Sequence, residues 1–376
     1  MIDYPNIELL RRCSGQANIL RHFEEQMRQT LQSPVWHAEG DVYTHTMMVV
    51  EALHNLPEYV LLNERQKHIL TLAALLHDVG KIPATQMIDG EWTAPHHAPT
   101  GSRMAREVLW KEYGMCGESE LMKVREAIFL LVRYHSFPPH ALDMDDVRLR
   151  LHRIASNSLL VPDFSIRLLC LLCKADMLGR KCPDQQEVLD QIALCEELAM
   201  EEGCMDGCFP FASDAVRRAY LAGQDVWKEQ ELYDEAWGEV ILMSGLPGTG
   251  KDTWINKHVP DLPMISLDDI RRKHRISPKA EQGLVANIAR EQAKEYLRKH
   301  QPFVWNATNI TTQMRESLTS LFETYKARVR IIYLETSWNN QLERNSQREH
   351  AVPNDVLENM LGKLILPEVH EARAVE

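Results

Sequence analysis

Six residues in the first half of this 376-residue chain form a spaced set of metal-ligand types. They are His45, the adjacent pair His77-Asp78, His97, His135 and Asp176. Imidazole and carboxylate donors without thiolates suit Mn, Ni, Co, Fe or Zn, one ion or two, and differ from the thiol-rich pattern of structural zinc. A dication in such a set polarises a phosphoryl oxygen and brings the pKa of water towards about 7, so the expected chemistry is phosphoester hydrolysis. A His-Asp dipeptide alone occurs by chance, and its weight here comes from its companions. Gly80 permits a turn that brings His77 and Asp78 to one ion. Lys81 is placed to neutralise phosphate charge, and Arg180 has a weaker claim to the same role.

The second half carries Gly245-Leu246-Pro247-Gly248-Thr249-Gly250-Lys251 between an apolar strand-like run and a helical run. Glycines there turn backbone amides towards a phosphate, the helix N-terminus adds its dipole, and Lys251 bridges phosphates. The implied ligand is ATP or another nucleoside triphosphate with Mg²⁺. Asp252 occupies the place where Ser or Thr ordinarily ligates that ion, so either Asp252 or Thr253 is the expected ligand. Arg344 and Arg348 are four apart, which on one helix would put both on one face, able to clamp a triphosphate.

These groups need two kinds of framework. To about residue 200, apolar residues recur at three- and four-residue spacings, in Thr46–Leu56, Ile69–Leu76, Val124–Val132, Ile166–Met177 and Val188–Met200, which predicts helices. After Gly238, short β-type runs (240–243, 264–266, 303–305, 329–334) alternate with helix-length segments, which predicts crossovers and a parallel sheet. The expected fold is therefore an all-α domain over 1–200, an aromatic-rich connector over 201–238 and an α/β P-loop domain over 239–376.

A net charge of −12 argues against a protein that coats nucleic acid through bulk electrostatics. Local basic clusters exist at 148–153 and 271–275, and each reads equally as a solvated helix face. The eight cysteines form no zinc-ligand set, and Cys170 and Cys173 read as reduced core residues. No apolar run approaches the ~20 residues of a membrane helix, and Met1–Pro5 lacks the features of a signal peptide, so a cytoplasmic location is expected.

The segments 37–47, 77–81 and 174–180 together resemble the HD phosphohydrolase superfamily, especially the HD domain attached to bacterial CCA-adding enzymes. The resemblance spans roughly residues 30–181. It implies that His45, His77, Asp78 and Asp176 share one metal and that His97 and His135 match the extra ligands of two-metal members. On their own, His37 and His96 read as loop residues that cap or hydrogen-bond, outside the ligand set. From about 239 to 366 the chain resembles phage-type polynucleotide 5′-kinases, through the loop, Ser266–Arg271, Thr308-Asn309 and the lid-like stretches 343–348 and 352–357. This resemblance implies that Asp268 is general base for a 5′-hydroxyl and that Arg271 contacts substrate phosphate. Ala307 replaces an acidic residue of the phage enzyme. The whole chain resembles bacterial HD-domain polynucleotide kinases, which implies RNA repair: removal of 2′,3′-cyclic, 2′- or 3′-phosphates, ATP-dependent phosphorylation of 5′-hydroxyls, and sealing by a separate RNA ligase. The motifs leave RNA against DNA, and the oligomeric state, open. Two other readings keep the domains. One is a nucleotide phosphohydrolase fused to a small-molecule kinase. The other is an HD hydrolase regulated by a nucleotide-sensing P-loop domain.

Overall fold

A computed structural model describes residues 15–117, 120–233, 235–276, 282–348 and 351–376. The Met1–Pro5 segment lies outside the described residues. The chain divides into two compact units, Met1–Phe209 and Pro210–Glu376, with the boundary inside the aromatic-rich stretch.

In the first unit, six helices carry the frame: α1 (Val42–Asn55), α2 (Glu64–Leu76), α3 (His97–Lys111), α4 (Glu120–Tyr134), α5 (Ile166–Leu178) and α6 (Gln185–Glu201). Caps fix where three of them start. Asp41 accepts from the Thr44 amide at 2.8 Å, Asn63 and Gln66 form a reciprocal capping box at α2, and Ser165 caps α5. Each such cap contributes about 1 kcal/mol and sets the register of its helix. α5 is buried on nearly every side, as its unbroken apolar run requires, and packs against α1, α2, α4 and α6. Cys170 and Cys173 lie in it as buried free thiols.

A hairpin and a further helix also belong to this unit. β1 (Gln86–Ile88) and β2 (Glu91–Thr93) pair in an antiparallel hairpin. Its turn is Asp89-Gly90, with φ of 51° and 85°, the two left-handed residues of a tight primed turn. The basic cluster at 148–153 lies on helix Val147–Ser156, where Leu151 and His152 are buried. His152 bonds Glu202 at 2.8 Å and Arg148 pairs with the same carboxylate, so part of the cluster is already neutralised.

The second unit is built on five parallel strands in the order β4-β5-β3-β6-β7: β3 (Glu239–Ser244), β4 (Met264–Ser266), β5 (Phe303–Asn306), β6 (Arg328–Tyr333) and β7 (Ala374–Val375). Alternation along β3 divides its side chains between two cores. Val240 and Leu242 join Phe303, Trp305, Phe322 and Ile331 on one face, while Ile241 and Met243 join Val304, Ile332 and Ile255 on the other. Helices α7 (Lys251–His258), α8 (Leu267–His274), α9 (Gln282–Arg298), α10 (Thr312–Thr324), α11 (Trp338–Ser346) and α12 (Asn354–Lys363) make the crossovers. The chain leaves β3 towards β4 and later returns to its other side with β6. The carboxyl end of β3 is therefore the place where an open α/β sheet offers a crevice.

Candidate functional sites

In the first unit, helix ends deliver the six expected ligands to one place. His45 sits one turn into α1, His77-Asp78 follow α2, His97 opens α3, His135 follows α4, and Asp176 lies near the end of α5. His45 Nε2 is 3.0 Å from Asp176 Oδ1 and 3.5 Å from Asp78 Oδ2. His77 Nε2 is 3.2 Å from Asp78 Oδ2 and 3.9 Å from Asp176 Oδ1. Separations of this size match neighbouring ligands of one ion with bonds of about 2.1 Å. The other carboxylate oxygen, Asp78 Oδ1, faces His97 Nε2 at 3.5 Å and His135 Nε2 at 3.9 Å, and these two nitrogens are 3.2 Å apart. Asp78 thus presents one oxygen to each of two donor sets.

The histidines are prepared as ligands. His77, His97 and His135 each donate Nδ1–H to the carbonyl three residues back, Ala74, Ala94 and Val132, at 2.7, 2.9 and 2.7 Å. That bond fixes the tautomer and leaves the Nε2 lone pair inward, the usual arrangement around a metal. His45 is anchored differently, with Nδ1 at 2.9 Å from Glu39. Among the described residues, His77 Nε2 and Asp78 Oδ1 are buried and make no hydrogen bond. Two inward lone-pair atoms left unsatisfied are costly in a protein interior, and a cation satisfies both. The residues therefore fit one or two ions.

The surrounding charges hold the carboxylates ionised. Burial pushes Asp78 and Asp176 up. His77 and Lys81 outweigh this for Asp78, Arg180 and His45 outweigh it for Asp176, and both lie well below the usual range. Burial pushes His135 down to about 3, with His97 and His77 adding to the effect, and it lowers His97 as well. Lys81 is buried, and its ammonium lies 2.7 Å from Asp78 Oδ2, 2.6 Å from Gln32 and 3.3 Å from His37. Its local role is to hold Asp78. Arg180 does the same for Asp176, with Nη2 at 3.2 Å from both oxygens.

One local expectation is corrected. Gly80 has φ −68° and ψ −16°, ordinary helical values, so no special turn is required of it. It is needed for space. A Cβ there would fall 2.0 Å from the His97 carbonyl and 2.4 Å from the Gly101 amide, where α3 crosses over the His-Asp turn.

In the second unit, residues 245–250 wrap between β3 and α7. Gly245 has φ 139°, and a Cβ would meet the Leu334 carbonyl at 2.3 Å, so glycine is obligatory. Lys251 folds back over its own loop, donating to the Gly245 and Leu246 carbonyls at 2.9 and 2.8 Å. Burial, with Arg348 nearby, pushes its ammonium down to about 8, against the pull of Asp252 and Asp268. The Thr249 hydroxyl is turned inward to the Leu246 carbonyl. Thr253 is exposed, and Asp252 accepts from Asn306 at 2.6 Å. Arg344 lies over the loop, 3.7 Å from where a Cβ on Gly248 or Gly250 would be. The buried Gln341 also donates to the Pro247 carbonyl.

At the head of α8, Asp268 is exposed and bonded to Arg271 at 2.7 Å, with Arg348 at 3.6 Å. Asp269 pairs with Arg272. The shared helix face for Arg344 and Arg348 is not found, because α11 ends at Ser346 and Arg348 lies beyond it. Arg348 instead reaches Asp268 from the turn beyond the helix. Thr308-Asn309 supports the loop: the Thr308 carbonyl accepts from the Gly245 amide, and Asn309 Nδ2 donates to the Met243 carbonyl at 2.7 Å.

Residues 42–176 match the HD domain family, and residues 240–367 match the family described as AAA domain. The chain carries an HD domain followed by a P-loop kinase-like domain. An L-seryl-tRNA(Sec) kinase from Methanococcus maripaludis is 24% identical over 136 residues, 34% of this chain and 53% of that protein. The chain thus spans about half the length of this relative.

In the HD domain, sequence reasoning passed over Glu39. It accepts from His37 Nδ1 at 2.8 Å as well as from His45. Burial raises its carboxyl, and hydrogen bonds from His37, His45 and the Lys181 amide pull it well below its ordinary value. Burial also lowers His37, to about 4, so a neutral imidazole divides its two nitrogens between Glu39 and Lys81. His37 lies with Glu39 and His45 in a further group whose donor atoms are close enough to hold a cation, and His96 is an exposed left-handed residue ahead of α3. In the kinase-like domain, Asn306 and Gln341 were likewise unforeseen. No local pattern marks any of these residues, since each acquires its role through side-chain contacts that its neighbours in sequence do not announce.

Proposed function

We propose that this protein heals broken nucleic-acid ends: the HD domain removes 2′,3′-cyclic, 2′- or 3′-phosphates, and the kinase-like domain phosphorylates 5′-hydroxyls with ATP. The observation that carries the reading is Asp268, an exposed carboxylate beside the phosphate loop, flanked by Arg271 and Arg348. A carboxylate there can take a proton from an acceptor hydroxyl, while the two guanidiniums hold phosphates on either side of the transfer. A nucleotide sensor has no use for such a base. The name of the kinase relative also puts its acceptor on an RNA, a seryl-tRNA.

In the HD domain the bound ions supply phosphoryl polarisation and a water acidic enough for use at neutral pH. His45, His77, Asp78 and Asp176 hold one ion, and Asp78, His97 and His135 a second. Lys81, Arg180 and Glu39 fix the ligands. Lys81 is therefore assigned to positioning Asp78, ahead of direct phosphate contact. In the kinase-like domain, the backbone of residues 245–250 and Lys251 cradle the triphosphate. Arg344 closes over it, and Mg²⁺ accompanies the nucleotide.

The paired state of the basic residues favours a second reading, a small-molecule kinase acceptor, because Arg271 and Arg272 are matched by Asp268 and Asp269. Incubation with γ-labelled ATP and Mg²⁺, offering a 5′-hydroxyl oligonucleotide beside free nucleosides, separates them. Label on the oligonucleotide supports end healing, and label on nucleosides alone overturns it. A 3′-phosphate oligonucleotide and a nucleoside monophosphate make the matching pair for the HD domain.

A further inference from the structure

We propose that the carboxylate used to hold the nucleotide's divalent cation has been relocated in this chain from a strand end to the phosphate loop itself, onto Asp252, with Asn306 as its support. The inference rests on the kinase-like reading of the loop. P-loop enzymes commonly combine a Ser or Thr directly after the loop lysine with an Asp on a neighbouring strand. Here the residue after Lys251 is Asp252, and β5, hydrogen-bonded directly to β3, ends on Asn306. The two residue types are exchanged: a carboxylate stands where a hydroxyl is usual, and a neutral amide stands at the strand end.

The exchanged side chains meet. Asn306 Nδ2 lies 2.6 Å from Asp252 Oδ1. An ionised carboxylate only accepts, so the amide nitrogen is the atom that faces it. Asn306 is buried and Asp252 exposed, so the fixed partner holds the reaching one. This bond occupies one oxygen, and Asp252 Oδ2 has no hydrogen bond among the described residues. An Asp at both positions would place two anions 2.6 Å apart, and a Ser-Asn pair would leave no anion at this corner. The Asp-Asn pair keeps one negative charge, not two, where the loop meets the end of β5, and hard dications select carboxylate oxygen as ligand.

Calorimetry on the full chain, with a non-hydrolysable ATP analogue in the presence and absence of Mg²⁺, tests this. The readout is the gain in nucleotide affinity that Mg²⁺ brings, which does not depend on turnover. Asp252→Ser and Asp252→Asn are expected to reduce that gain by roughly 10- to 100-fold, the scale of losing a metal-site partner. The exchange back, Asp252→Ser with Asn306→Asp, is expected to recover most of it, and Thr253→Ala to leave it unchanged. An undiminished gain in Asp252→Ser, no recovery in the double variant, or a loss confined to Thr253→Ala overturns the relocation and leaves the kinase-like reading standing. If the wild-type chain binds no triphosphate under either condition, that reading fails first and takes the relocation with it.

Discussion

Asp268 is exposed and, among the described residues, held by the guanidiniums of Arg271 and Arg348, so its replacement tests chemistry with little risk to the fold. Asp268→Asn should lower kcat for 5′-phosphorylation by about 10²-fold or more while ATP affinity changes little. A wild-type rate in that variant, with the loss appearing in Asp269→Asn, would move the base by one residue. Lys251 makes a prediction about pH. Its ammonium is pushed down to about 8, and triphosphate binding favours the charged form. ATP affinity should therefore be full below pH 8 and fall about tenfold per unit above it, until the bound-state pKa is reached. Lys251→Arg should flatten the dependence; a flat wild-type profile between pH 7 and 10 would contradict the assignment. The residues that gather at each candidate site were legible in the sequence because His, Asp and Gly-Lys motifs advertise their chemistry. Glu39, Gln341 and Asn306 were not, because a loop glutamate or a strand asparagine looks alike whether or not a distant partner meets it.

Between elements, the tightest constraint is the crossing of α3 over the His-Asp turn. Gly80→Ala should destabilise the HD domain by about 2 kcal/mol and reduce bound metal, because the added methyl must displace the main chain that positions His97. Thermal unfolding and elemental analysis read the two effects, and unchanged metal content would mean that α3 moves without cost. The predicted helices over 46–56, 69–76, 124–132, 166–177 and 188–200 all fall on observed helices, which start up to five residues earlier, because the apolar runs meet one core while capped first turns such as that of α2 are polar. The hairpin at 86–93 was not foreseen, because its strands are too short and exposed to show alternation beside the Asp-Gly turn. α3 was hidden by Pro99 and Gly101 near its start, and by a buried Arg106 where an apolar residue would be expected. β7 spans two residues, too few for any period.

At the scale of the chain, two compact units with different ion chemistry should respond separately. His77→Ala or Asp78→Ala is expected to abolish phosphate removal and spare 5′-phosphorylation; loss of both in a folded variant would sink the independence of the two sites. Scanning calorimetry should resolve two transitions. A transition metal should raise one and ATP with Mg²⁺ the other, by the usual linkage of binding to stability. Chelation should stop phosphatase activity that Mg²⁺ alone does not restore. The Nδ1 bonds of His77, His97 and His135 have a slower consequence, on the timescale of descent. Each imidazole is steered by a main-chain carbonyl, a group that every residue type supplies. Mutation at Ala74, Ala94 or Val132 can alter packing but cannot delete the acceptor. The aim of these three ligands is therefore inherited with the backbone, and lineages are free to change the side chains around the cluster while its geometry persists.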